Sequence, residues 1–231
     1  MKTMPAAQVA FSVLDLERTV AWWREVFELA PAGGSIELTG PEAARAQGLP
    51  ASESRILWLV DQQDFFQLEF FRFTEPEPRP LPHDWRPSDI GYSLVGVHVQ
   101  DFDATLERAA SVGSDPVGPL REQPGARRAA LRDPEGAIVE IMEDDPRAPA
   151  EGHRMRPDIP CACRYVRATV SDLQASHAFF VDTLGCQPAD SDLLHGDEAL
   201  WGLANAQVQR AAVWAGDFVI EFATYIDPCY R

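Results

Sequence analysis

Few side chains in this sequence lie at spacings that carry chemistry by themselves. Cys161 and Cys163, in C-A-C, place two thiols on one side of an extended segment and offer two soft metal ligands. No second Cys or His pair lies at finger-like spacing, so with Cys186 and Cys229 they read as free thiols of a reducing compartment. His177 and His195 have no spaced partners and read as surface residues. A G-x-S-x-G elbow, a G-x-x-x-x-G-K-[ST] loop and an H-E-x-x-H helix are all absent. Lys plus Arg number 20 against 36 for Asp plus Glu, a net charge of -16 that repels phosphate backbones and anionic lipid. Nucleic acid and membrane surfaces are therefore excluded as partners. Hydrophobic residues at 45% exclude wholesale disorder, and no apolar run approaches the ~20 residues of a membrane span. The N-terminus, M-K-T-M-P-A-A-Q, carries no apolar leader before the first strand, and the expectation is a cytoplasmic protein.

Any chemistry must then come from how the elements assemble. From Gln8, Q-V-A-F-S-V alternates as a half-buried strand, with Val9, Phe11 and Val13 on one face. At Asp15 the period changes: Leu16, Val20, Trp23 and Phe27 recur at three and four residues, an amphipathic helix with Asp15 as its N-cap. R-I-L-W-L-V and F-F-Q-L-E-F-F-R-F, joined by D-Q-Q-D, predict a hairpin, and Pro41 to Ser52 reads as a loop or short helix over a pocket mouth. Thr74 to Pro87, with five prolines, is an extended crossover. Strand, Asp and helix return at S-L-V-G-V-H-V-Q-D-F-D, where the helix is expected to be capped at Asp103 and to end at Gly113. They return again at R-Y-V-R-A-T-V-S-D-L-Q. The second unit closes on D-P-E-G-A-I-V-E-I, a turn and a last strand over residues 137 to 143.

The third unit echoes the first more than the second. G-P-E-A returns as G-D-E-A, F-Q-L-E-F-F as F-V-I-E-F-A, and F-T-E-P as Y-I-D-P. The units span 5–74, 88–145 and 160–226, with the second expected to pair with the first. The third then lacks a partner, and the chain reads as a duplicated pair without its fourth member, either truncated or completed by another chain.

This order, ending in D-P-E-G-A-I-V-E-I, resembles the vicinal oxygen chelate superfamily of glyoxalases, bleomycin-resistance proteins and extradiol dioxygenases. The resemblance implies an α+β fold of repeated βαβββ units whose sheets pair into curled cups, each holding a divalent metal and a small substrate. The family's ligand positions lie seven residues before Asp15, Asp101 and Asp172 and at the last-strand Glu. Carried over, they give Gln8, Leu94 and Tyr165, and Glu69, Glu140 and Glu221. Gln8, Glu69 and Glu140 are thus the expected oxygen ligands for Fe, Mn, Zn or Mg. Leu94 cannot ligate, and Tyr165 stands where an iron dioxygenase needs histidine. His98 shares a strand face with Leu94 but lies about 13 Å further along, so it is expected to line the pocket. Trp58 is an aromatic candidate for the same lining.

Two functions follow from the resemblance. One is an enzyme of lyase, isomerase or dioxygenase type acting on a small oxygenated, possibly aromatic metabolite. In it Glu69 and Glu140 face one another as proton-transfer carboxylates beside the metal. The other is a metal-free small-molecule binding protein, with the glutamates as hydrogen-bonded fold elements. Completion of the unpaired unit by a second copy would make a homodimer.

Overall fold

The structure is a computed structural model and describes residues 5–64, 66–146, 156–190, 193–194 and 198–231. Phe65 and His195 lie outside the described residues.

The first unit runs β1 (Gln8–Ser12), α1 (Leu16–Phe27), β2 (Ala30–Pro31), β3 (Ile36–Leu38), α2 (Gly40–Gln47), β4 (Glu53–Val60) and β5 (Gln67–Glu75). The second contains β6 (Gly91–Val99), α3 (Phe102–Ser111), β7 (Arg128–Arg132) and β8 (Ile138–Met142). In the third, β9 (Cys161–Thr169) leads into α4 (Leu173–Ala178), which continues as a π-helical turn, Phe179–Thr183. β10 (Gln187–Ala189), a 3₁₀ turn (Glu198–Trp201), β11 (Gln207–Ala215) and β12 (Phe218–Asp227) complete it.

The helix that follows the first strand of each unit begins where a carboxylate can satisfy an orphan N–H. Asp15 accepts from Arg18 N at 3.0 Å and Asp172 from Ala175 N at 2.9 Å. In the second unit the cap is Asp101, which accepts from Ala104 N at 3.0 Å, and not Asp103. D-F-D offers two acids two residues apart. The apolar Phe102 must face inward as the first helical residue, which leaves Asp103 outside in the first turn, paired with Arg127 at 2.8 Å.

The strands form two sheets. One has five strands in the order β1-β5-β4-β2, with β3 also on β4; the other has seven, β10-β11-β12-β9-β6-β8-β7. The expected pairing of the first and second units is therefore corrected. β6 pairs antiparallel with β9, so the second unit's sheet is continuous with the third's, and the third is not left without a partner. The composition of the strands gives the reason. β6 and β9 are buried along nearly their whole length, as interior strands must be, whereas β1 alternates exposed and half-buried. β1 pairs only with β5, and its other edge meets no strand among the described residues.

The first unit joins the others through a shared core. Leu16, Trp23, Val26 and Phe27 of α1 pack in one cluster with Phe102 and Ala109 of α3, Val95 and Val97 of β6, and Cys161 and Cys163 of β9. Val20 is only half-buried at its margin. The D-P-E-G turn reaches across: Glu135 accepts from Leu14 N, Asp15 N and the Thr19 hydroxyl at 2.9–3.1 Å. Asp61 makes a second tie by accepting from Cys163 N at 2.7 Å, and its burial pushes its pKa up to about 6 against those hydrogen bonds.

Candidate functional site

The three last-strand glutamates occupy two different surroundings. In the first unit, parallel pairing sets Gln8 beside Gln67 and Ala10 beside Glu69, and antiparallel pairing sets Trp58 beside Glu69. Alternation puts all these side chains on one face, opposite the one that α1 covers. Gln8 Nε2 donates to Glu69 Oε2 and Trp58 Nε1 to Oε1, both at 2.9 Å. Gln67 Nε2 in turn donates to Gln8 Oε1 at 2.9 Å. Glu69 is 9% exposed, and no Arg, Lys or His is within ion-pair distance of it among the described residues.

Glu140 and Glu221 belong to the seven-stranded sheet and are fully buried. Glu140 Oε1 meets Arg128 Nη1 at 2.9 Å, and its Oε2 accepts from Trp201 Nε1 at 2.7 Å. Burial still raises its pKa, with Arg128 opposing. Glu221 stands directly opposite Arg167 and accepts from its Nε. Arg167 Nη1 also meets Glu198 at 2.9 Å, the Tyr225 hydroxyl bonds the same carboxylate, and the guanidinium lies 4.0 Å from the Trp201 ring centre. Burial alone would pull Arg167 down, but Glu221 and Glu198 hold its pKa well above the usual value. Leu94 and Tyr165 pack with Leu200, Trp201 and Val219 and fill what is left of this cup. The Tyr165 ring lies over Gly96, where an added Cβ would sit 1.7 Å from Cε1.

The expectation that Glu69 and Glu140 face one another is thus not met, because they lie on separate sheets. Gln8 and Trp58 gather with Glu69, and Glu140 does not join them. His98 is half-buried near the Arg164 and Asp145 charges at one end of β6, where burial lowers its pKa. It lines neither the face of Glu69 nor the cleft beside β1. No group of three or more His, Cys, Asp or Glu is arranged to hold a metal among the described residues. Arg128, Arg167, Glu198, Trp201 and Tyr225 escaped the sequence reading. The signal available was an arginine within an otherwise apolar strand, as in R-Y-V-R-A-T, which requires a buried acid opposite it.

A cleft of about 490 Å³ runs along the free edge of β1. Its walls include Gln8, Ala10 and Ser12 on one side and Trp85, Tyr92 and Ile220 on the other. In a parallel ladder alternate residues bond the neighbour, and Ala7 O and Val13 N both bond β5. Gln8, Ala10 and Ser12 therefore turn their backbone groups toward the cleft.

Two mixed sheets built of βαβ-type units, each with an Asp-capped helix, define the glyoxalase class of α+β folds. The family model for the Glyoxalase/Bleomycin resistance protein/Dioxygenase superfamily matches residues 6–141, and the chain belongs to that superfamily. Among solved structures, it is similar to a glyoxalase I variant from Zea mays (TM-score 0.63, 15% identity, 98% of this chain and 69% of that one). It is also similar to a putative dioxygenase from Bacillus subtilis (TM-score 0.62, 13% identity, 97% and 65%). A glyoxalase family protein from Bacillus cereus aligns with 62% of this chain and 95% of its own, at 22% identity and TM-score 0.56. No curated protein matches the chain. At these identities the structural likeness establishes the fold.

Proposed function

We propose that the working site is the open face of the first unit, where Gln8, Glu69 and Trp58 take a divalent metal and a small oxygenated substrate for lyase, isomerase or dioxygenase-type chemistry. One observation carries this reading: Glu69 is the last-strand glutamate without a cation. Arg128 and Arg167 supply the positive charge for Glu140 and Glu221 from within the chain. Glu69, 9% exposed, has only neutral N–H donors. A mostly buried carboxylate without a counter-charge favours a bound cation. The donor set fits a hard or borderline ion, since Glu69 offers a carboxylate and Gln8 an amide oxygen. Such an ion would polarise adjacent substrate oxygens. Trp58 fixes the carboxylate and presents an aromatic wall, and Gln67 orients the Gln8 amide.

Two protein donors leave room for more, and the free edge of β1 is where a further βαβββ unit would bring them. β6 and β9 join their units by antiparallel pairing of first strands. The same pairing of β1 with β1 of a second copy would make a symmetric homodimer with Gln8 and Glu69 contributed from both sides.

The metal-free binding reading is favoured by a different detail. Both Glu69 oxygens already accept a hydrogen bond, and Gln8 presents nitrogen, so an ion must displace these donors.

Elemental analysis after incubation with Mn, Fe or Zn separates the two readings. Stoichiometric metal that is lost in Glu69→Gln and kept in Glu140→Gln supports the metal site. No metal above background, or equal loss in both variants, refutes it. Sedimentation at several concentrations tests the dimer, and a strictly monomeric species counts against completion by a second copy.

A further inference from the structure

We propose that the cleft beside β1 binds an extended segment of another protein as an added antiparallel strand. The segment carries a basic residue ahead of two apolar ones at alternate positions. This goes beyond the metal reading of the Glu69 face, and it takes the edge that a second copy would otherwise use.

Gln8, Ala10 and Ser12 turn their backbone N–H and C=O groups into the cleft, over a span of about 13 Å. Such an edge is a template for a further strand, and proteins usually blunt it with charge, proline or a bulge. Q-V-A-F-S has no charge and no proline, and its register on β5 is unbroken. The β7 edge of the other sheet is covered instead, by Val117 N on Ala130 O and by the bridge of Arg121 to Arg128.

The side chains define what the added strand must carry. Val9 and Phe11 face the core yet stay half-buried. Across the cleft Leu81, Trp85, Tyr92 and Ile220 are also incompletely covered, Tyr92 at 78% exposed. In a strand laid against β1, residues opposite Phe11 and Val9 would cover this apolar surface, and those opposite Ser12, Ala10 and Gln8 would face the polar side. The charged residues lining the cleft are two acids, Asp133 and Glu135. Neither is paired with Arg, Lys or His among the described residues. Burial, with the Glu135 charge adding to it, pushes the Asp133 pKa up to about 6. Glu135 marks the Ser12 end of the edge, since it accepts from Leu14 N. An antiparallel strand begins at that end, so its leading residue meets the acids. The β1 of a second copy is uncharged and brings no cation there.

The probe is the peptide Arg-Val-Thr-Val-Thr, acetylated and amidated so that its one charge is the arginine, titrated calorimetrically into the intact chain. Ala10→Pro removes the central N–H of the open edge and leaves in place the bonds that Val9 and Phe11 make to β5. It should weaken peptide binding by about tenfold. N-methylation of the peptide's two threonines, whose N–H groups face β1, should cost as much, whereas N-methylation of its two valines, which face away, should cost little. Glutamine in place of the peptide's arginine should weaken binding and remove most of its dependence on salt. No binding, or equal loss from both N-methylated peptides, overturns the proposal, as does an Ala10→Pro protein that is folded and binds as the wild type does. If Ala10→Pro does not fold, the N-methylated peptides decide on the wild type. Sedimentation of the same samples covers the other occupant: a dimer that Ala10→Pro dissociates and the peptide does not assigns the edge to a second copy and overturns the proposal. Metal content, measured alongside, reports on the Glu69 face alone.

Discussion

Replacement of Arg128 by methionine isolates what the buried pair contributes. Arg128 and Glu140 are each 1% exposed and meet at 2.9 Å; the variant keeps an unbranched apolar stem, shorter than that of arginine, and removes the charge from Glu140 and from the more exposed Asp144. Glu140 must then stay ionised without its partner, at several kcal/mol, or take up a proton. Protonation sets the ceiling. From an ordinary unfolded pKa near 4.3, it costs about 3.7 kcal/mol at pH 7 and about 1.6 kcal/mol at pH 5.5. The sign follows from the direction of the shift. Burial has already raised Glu140, and loss of Arg128 raises it further. A raised carboxyl contributes its full stability below the unfolded pKa and loses it as pH rises through the folded one. The deficit of Arg128→Met should thus be about 3–4 kcal/mol at pH 7 and roughly 2 kcal/mol smaller at pH 5.5. Urea unfolding followed by tryptophan fluorescence measures both. The double variant Arg128→Met/Glu140→Gln, whose amide still accepts from Trp201, should recover most of the loss and lack the extra fall in stability between pH 5.5 and pH 7 that the single variant shows. A deficit equal at the two pH values, or a double variant no better than the single, refutes the reasoning.

Three further outcomes are expected. Gly96→Ala places a methyl group on the Tyr165 ring and should cost at least 2 kcal/mol by overpacking. Addition of Tyr165→Leu should return part of it, a non-additivity that a double-mutant cycle by thermal unfolding detects. Asp61, raised to about 6, contributes stability that is full below its unfolded value near 3.8 and lost as pH rises through 6. Asp61→Asn should flatten the fall in stability between pH 4 and pH 7 by up to about 3 kcal/mol, read from urea midpoints. Asp15→Ala removes the cap of α1 and should cost about 1 kcal/mol, whereas Asp103→Ala, outside the cap, should cost under 0.5 kcal/mol.

The repeat was legible because each unit changes hydrophobic period at an aspartate, and Asp15 and Asp172 sit where that change falls. Asp101 was harder, since Asp103 competes within the same three residues. The order of pairing was not read, although the composition carried it. S-L-V-G-V-H-V is apolar on both faces and asks to be interior, whereas Q-V-A-F-S leaves a polar face and tolerates an edge. Gln8 and Glu69 were brought together only by the family resemblance, which places ligand positions at both, and they are hydrogen-bonded to each other. Trp58 was expected only as lining, and its hydrogen bond to Glu69 depends on the register of β4 on β5. The role of Glu140 was misread for a related reason: Arg128 lies twelve residues away and Trp201 sixty-one, and a ligand position read along one strand does not reveal what other strands bring to it.

The union of β6 with β9 bears on how this chain can be cut for study. A fragment ended at residue 141, where the family match stops, would strip β9 from β6. It would expose a nine-residue strand, Gly91–Val99, with Val95, Val97 and Val99 along it and no lysine or proline to blunt it. Long apolar strands left open in this way recruit one another, so such a fragment should precipitate during expression. The second and third units are best produced together, and the first, whose α1 packs into the same core as α3, β6 and β9, is best kept with them.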